Sequence, residues 1–543
     1  MRSSSIVSAT FALAALCSPT FAQDANEDQI ILPADPQQNG WFGYSISIDG
    51  GRAVIGSPLK DDVAGASGAA YVFDRFGPGN WVETAKLAPN TLLEQGDLFG
   101  ASVSISGSRI AVGMIGEDDA TLQAGAVVIF EDFGGLWFES AKLFASDAAQ
   151  GDFFGEPVVI DGNRVVATSQ FDSDNGIESG SAYVFEESGG VWTEVAKLKP
   201  LDGAAMDHFG ASMDFEGDRV LIGAPDNDDG SMGAGSAYYF QRVPNGTWRQ
   251  LFKFVAPDPF TNDSFGFAVS LDGDFAYISA VGQDLPGVNQ GGEVYVYQRI
   301  TASNWQLITR FNAATPIANG FFGTAIDVEG ARAVTTAWQE GVTLDNAAYV
   351  HDLQSGGTWL QSARIRPTDT ALEDIFGRSV AIDGDEALIG AMNAANPFTD
   401  GGKAYDVQLG TLYHGAPTIS ATTGGTQNLL LRAGQSKANQ VFVMLGSASG
   451  TFPGTFDPLS GVTVPLNFDA YFLQLLNTGG AGLVSPFFGF LDANGQASAT
   501  FTIPPVNPSF VGLSLDHAYV MVDLFGTTLA SGASNPAHVT IVP

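Results

Sequence analysis

Four aspartates return at near-constant intervals along the chain: Asp62, Asp119, Asp174 and Asp229, three of them directly preceded by Asp61, Asp118 and Asp228. A second series, Asp97, Asp152, Asp207, Asp263 and Asp374, stands two residues before a Phe-Gly pair each time. Carboxylates at such positions can fix turns by accepting backbone N–H bonds, gather cations or basic partners, or work as an acid and base pair on a glycosidic bond. The second series reads as turn-fixing, because Gly40 and Gly320 replace it in two copies. The first series stays open between turn-fixing and a surface for a cation or basic partner. Asp62, Asp119, Asp174 and Asp229 are therefore the candidate ligand-binding carboxylates.

Two segments, Asp172-Ser173-Asp174-Asn175-Gly176 and Asp226-Asn227-Asp228-Asp229-Gly230, offer oxygen ligands at alternating positions. Neither has the later bidentate acid of an EF-hand loop. Asp172, Asp174, Asp226 and Asp228 are thus weak metal candidates, with calcium the ion in question and no other cofactor expected. The five histidines, at 208, 351, 414, 517 and 538, are too scattered for a zinc cluster, and His208 fills a variable slot before Phe209. No Gly-x-Ser-x-Gly elbow or phosphate-binding glycine loop occurs. The recurring Trp81, Trp137, Trp192, Trp248, Trp305 and Trp359 read as packing residues. Trp338 lies outside their register and is the candidate ligand-facing aromatic.

The elements that must position these residues come from a repeat. Phe-Gly occurs at Phe42, Phe99, Phe154, Phe209, Phe265, Phe322 and Phe376, in steps of 54 to 57 residues. A second glycine follows each first one by seven residues, from Gly50 to Gly384, usually after Asp or Glu, which signals a tight hairpin between two short strands. A third strand such as Gly68 to Phe73, then a turn into tryptophan and a fourth strand ending in Lys86-Leu87, complete the unit. Four antiparallel strands repeated seven times predict a seven-bladed β-propeller, since only stacking around an axis buries both faces of each blade. Only six fourth strands follow a third strand. The segment Ile30-Ile31-Leu32-Pro33 is expected to supply the missing one and latch blade seven, removing an open sheet edge.

The Phe-Gly strand, the Leu221 to Pro225 strand and the Gly-Ser-Ala-Tyr-Val-Phe strand resemble FG-GAP repeats, in particular the bacterial secreted branch of the family that includes the integrin α-subunit propeller. The resemblance spans roughly residues 27 to 410. It implies an extracellular binding or adhesion module. The calcium loop of integrin-type blades does not carry over, because the connection that would hold it is here the tight Asp-Gly hairpin.

Composition sets the outer bounds. The chain has 543 residues, 45% hydrophobic and 11% aromatic, enough for a large core. A net charge of -36 would repel a phosphate backbone, so nucleic acid is not expected as a partner. No membrane-spanning run of apolar residues occurs outside the N-terminus. Residues 1–22 read as a secretory signal, with Arg2, an apolar run from Phe11 to Leu16 and Thr20-Phe21-Ala22 before Gln23. A lipoprotein reading at Cys17, the only cysteine, is weaker because Leu16 precedes it. The expected organisation is thus all-β: the signal, a propeller over 23–412, and a β-sandwich-like domain over 413–543 with Asp492-Ala493-Asn494-Gly495 as a hairpin turn. The function expected is a secreted or cell-surface, monomeric, non-catalytic module that presents an acidic loop face to a protein, glycan or cationic surface. The alternative is an extracellular carbohydrate-active hydrolase or lyase using a carboxylate pair on the same face.

Overall fold

A computed structural model describes residues 23–409, apart from 26, 28, 77–78, 339–345, 354–356, 368, 370–373, 385 and 397, together with strand segments between 411 and 542. Within 23–409 the strands form seven consecutive up-and-down sheets. Blade one is typical, with Ile46–Asp49, Arg52–Ser57, Ala69–Arg75 and Trp81–Leu87 paired antiparallel in chain order. The first strands stand next to one another around an axis, and the last of them, Phe376–Asp383, returns to the first. Blade seven takes its outer strand from the N-terminus: Gln29–Ile31 pairs antiparallel with Lys403–Gln408, as the strand count predicts. Ile31 is buried there, and the Gln29 amide bonds both the N–H and the carbonyl of Trp81 in blade one. Ahead of it, Gln23–Ala25 adds in parallel to the outer strand of blade six, Trp359–Ile365, a contact the repeat does not announce.

Blades touch through backbone as well as side chains. Every hairpin glycine has positive φ, between 56° and 62°. The residue before it, an acid except for Ser106 in blade two, accepts the N–H of the corresponding glycine one blade on, as Asp49 does from Gly107 (2.5 Å) and Asp161 from Gly217 (2.7 Å). Asp383 closes that circle on Gly51 at 3.3 Å. Nearer the Phe-Gly end, each Phe-Gly carbonyl approaches the second strand of the preceding blade. A Cβ on Gly56 would lie 2.0 Å from the Gly100 oxygen, so in that blade only glycine fits without a backbone shift. Where that position is Gly, the residue two after Phe-Gly is serine, and Ser45, Ser212 and Ser379 donate to the carbonyls of Gly100, Gly266 and Gly43. Where it is threonine, at Thr168 and Thr336, its own hydroxyl donates to Gly210 and Gly377 (both 2.9 Å) and the partner position is Pro157 or Ala325. The hydroxyl can come from either strand.

The recurring tryptophans pack between blades, as expected: Trp81, Trp305 and Trp359 are buried, and Arg52 of blade one lies 5.3 Å over Trp137 of blade two. Beyond the propeller, Thr411–His414, Gly425–Arg432, Gln496–Ile503 and Val484–Ser485 form one sheet. A second sheet contains Thr418–Ser420, Ala537–Val542, Ser514–Val522, Val441–Ser447, Phe488–Phe490 and Ala530–Ala533. The expected turn at 492–495 lies outside the described residues. The strands on either side of it, Phe488–Phe490 and Gln496–Ile503, pair in different sheets. Residues 1–22, including Cys17, also lie outside the described residues.

Candidate functional site

The connections between second and third strands, and between one blade and the next, emerge together at the Phe-Gly end of the disc. There the four expected aspartates meet a cation from the fourth strand of their own blade. Lys86 pairs with Asp35 (2.8 Å) and Asp62 (2.5 Å), and Lys142 with Glu117 (3.0 Å) and Asp119 (2.7 Å). Lys253 pairs with Asp202 (2.7 Å) and Asp229. Each lysine also finds an aromatic ring nearby, as Lys253 does over Tyr238 at 5.0 Å. The bond to Lys142 holds Asp119, and bonds to Lys197 and Lys199 hold Asp174, below the ordinary carboxylate range. The second series fixes turns: Asp97, Asp152, Asp207 and Asp263 each accept the N–H of the residue three before them.

The metal candidates are similarly engaged. The carboxylates of Asp147, Asp172 and Asp174 come within 4.8 Å of one another. The Lys197 ammonium bonds all three, at 2.6, 2.9 and 2.8 Å. Burial alone would lower the Lys197 pKa, but these bonds outweigh it and hold the amine above its ordinary value. Asp172 also accepts from Ser181 and Tyr183. An ion at this point would have to displace a charge that already satisfies the donors. Asp226 is bonded to His208 (2.7 Å) and Asp228 to the Gly233 N–H (2.8 Å).

The cavity that does collect chemistry is axial. It encloses about 710 Å³ at the Phe-Gly end and is lined by the residues just after Phe-Gly in all seven blades. At the first of these positions stand Tyr44, Ala101, Glu156, Ala211, Phe267, Thr324 and Arg378. Three of them meet across the axis: the Tyr44 hydroxyl donates to Glu156 Oε1 at 2.9 Å, an Arg378 Nη lies 3.5 Å from the same oxygen, and the Arg378 guanidinium sits 4.1 Å over the Tyr44 ring. Glu156 keeps 24% of its side-chain surface open, and that surface faces the cavity. Desolvation pushes the Glu156 carboxyl up, opposed by Arg378 and the Tyr44 bond, and desolvation with the neighbouring carboxylate pushes the Tyr44 phenol up. Below them Ile46, Val103 and Val269 begin an aliphatic floor.

Aromatic side chains gather at the Phe-Gly end. The residue before Phe-Gly adopts positive φ, 47° to 58°, in every blade, held in most by an N–H bond to the preceding blade's second-to-third connection, as Phe153 is by the Gln123 carbonyl. That backbone is uncommon for side chains other than glycine, yet the slot holds Trp41, Phe153, His208 and Phe321. Trp41 stacks on Tyr44 (5.9 Å, 5°), and Phe171 meets both Phe153 and His208 edge-on at 5.7 Å. His208 spans Asp226 and Glu178 (3.2 Å). Trp338 lines the cavity against Phe267, and its indole N–H has no partner among the described residues. Sequence reasoning singled out Trp338 but not Tyr44, Glu156 or Arg378. The available signal was their register: the slot after Phe-Gly is otherwise alanine, threonine or phenylalanine.

The family model described as "FG-GAP repeat" matches residues 25–73, 81–130, 137–185, 192–240, 248–297 and 359–407, more than half of the chain. No curated protein matches the sequence. Among solved structures, the chain is similar to an acylaminoacyl peptidase of Pyrococcus horikoshii (9% identity, TM-score 0.38), with 73% of this chain and 58% of that chain covered. It is also similar to the β-propeller domain of the Trilobed protease of Pyrococcus furiosus (10% identity, TM-score 0.37), with 64% of this chain and 90% of that chain covered. The chain thus spans somewhat over half the length of the peptidase it resembles.

Proposed function

The chain belongs to the FG-GAP repeat family, and from that premise we propose that it is a secreted, non-catalytic binding or adhesion module whose ligand enters the axial cavity from the long-loop face. The observation that carries this reading is the contrast between two sets of polar groups at one end of the disc. The outer aspartates are neutralised by lysines of their own blades, whereas Glu156, Arg378, Tyr44 and Trp338 surround open volume. A rigid ring holding a concave site of mixed polar and apolar lining, with a few convergent polar groups, suits a binding pocket. The two carboxylates that line it, Glu156 and Asp226, are tied to Tyr44 and Arg378 and to His208, which orients them rather than freeing them as an acid and base pair.

Filling the cavity tests its role. Ala211→Trp adds bulk at the slot after Phe-Gly without altering charge, and should weaken capture of extracellular protein and glycan ligands by more than about tenfold, roughly the loss of one good contact, at an unchanged melting temperature. Undiminished capture would move the site elsewhere. Turnover of any polysaccharide by the purified protein would favour the hydrolase or lyase alternative instead.

A further inference from the structure

We propose that the axial cavity is a saccharide site that binds a neutral sugar ring; this rests on the reading of the cavity as the binding pocket. Charge selects the class. Glu156 and Asp226 line the cavity and the chain carries a net charge of -36, so an anionic ligand meets repulsion on approach and at the site. A cationic ligand would reach the Arg378 guanidinium at the base, beside Glu156. A neutral polyol meets neither opposition. One hydroxyl can donate to the Glu156 carboxylate while the same or a neighbouring hydroxyl accepts from Arg378, the paired geometry that a charged acceptor and donor side by side present.

Shape agrees with charge. A sugar ring has an apolar C–H face as well as polar edges. Phe267, Phe171 and Trp338 offer apolar walls above an aliphatic floor. The Trp338 ring, whose buried indole N–H has no partner among the described residues, adds aromatic surface for the C–H face of a sugar ring. A volume of about 710 Å³ suits a short oligosaccharide better than a single ion.

The experiment titrates the purified full chain by calorimetry and tryptophan fluorescence against neutral mono- and oligosaccharides of gluco, galacto, manno and N-acetylhexosamine type. A polyuronate and a lysine-rich peptide serve as charged probes. A neutral glycan should bind saturably and shift the tryptophan emission. Trp338→Ala, which removes the aromatic wall, should weaken it by about tenfold, the scale of one aromatic contact. Glu156→Gln should weaken it at least as much; a melting curve checks that this variant folds, and Trp338→Ala serves alone if it does not. Binding of the peptide or the polyuronate that falls in the same variants, with no neutral glycan bound, overturns the saccharide assignment and leaves the pocket standing. Binding of any probe that neither these variants nor Ala211→Trp diminish overturns the pocket itself. No saturable binding by any neutral glycan overturns the saccharide assignment.

Discussion

His351 occupies the strand-three slot that Phe73, Phe130, Phe185 and Phe240 fill in the first four blades. It is 1% exposed, packs 4.6 Å from Phe311, and bonds the Asn312 carbonyl through Nε2 while Nδ1 has no partner among the described residues. Burial lowers its pKa to about 4. The folded state therefore excludes a proton that the unfolded chain takes up near its ordinary value, and stability falls as pH drops from about 6.5 toward 4. That loss amounts to about 2 kcal/mol at pH 5. His351→Phe, which restores the repeat's own residue, should flatten this limb: denaturant midpoints of variant and wild type should diverge in the variant's favour as pH falls from 7 to 5. Parallel curves would mean that His351 is not the titrating group. The same lesson of slot and occupant applies to the inter-blade hydroxyl, which Ser45 supplies in blade one and Thr168 in blade three.

The fourth strand does more than close each blade. Its basic residue, five positions after tryptophan, reaches the loop end, so the acidic connections there are neutralised from within. Lys197 is the fullest case, 16% exposed among carboxylates of which Asp172 is 5% exposed and Asp147 and Asp174 about two-fifths exposed. Lys197→Met should leave three carboxylates facing one another and cost about 1–3 kcal/mol, between the values for exposed and buried pairs. Thermal unfolding should then begin several degrees lower at pH 8. Millimolar calcium should restore the variant and leave the wild type unmoved, because the ion would enter the place the ammonium holds. A wild type stabilised equally by calcium would show that the loops bind metal with the lysine in place.

The whole molecule depends on closure between its ends. Gln29–Ile31 supplies the outer strand of blade seven, and burial of Ile31 alone accounts for about 1.5–3 kcal/mol. A chain beginning at Ala34 should melt several degrees lower than one beginning at Gln23, at about 2–4 °C per kcal/mol for a domain of this order. Equal melting temperatures would show that the first blade holds the seventh without the strap. The hydrogen-bond circle through Asp383 and Gly51 makes the same closure on the axis side.

Blade number, strand order and the strap were legible in the chain alone, because each rests on a local pattern repeated in phase: Phe-Gly, the hairpin glycine, the tryptophan turn and one missing fourth strand. The turn-fixing role of Asp97 and its counterparts was legible for the same reason. The partners of Asp62, Asp119, Asp174 and Asp229 were within reach, since Lys86, Lys142, Lys197 and Lys253 repeat with them, but choosing between a free and a paired carboxylate needs the strand register that sets side chains face to face. The meeting of Tyr44, Glu156 and Arg378, separated by 112 and 222 residues along the chain, was decided by ring closure. A repeat says that each blade contributes one residue at a given height on the axis. Which three contributions touch across it depends on side-chain length and blade angle, and those exist only once the circle is shut.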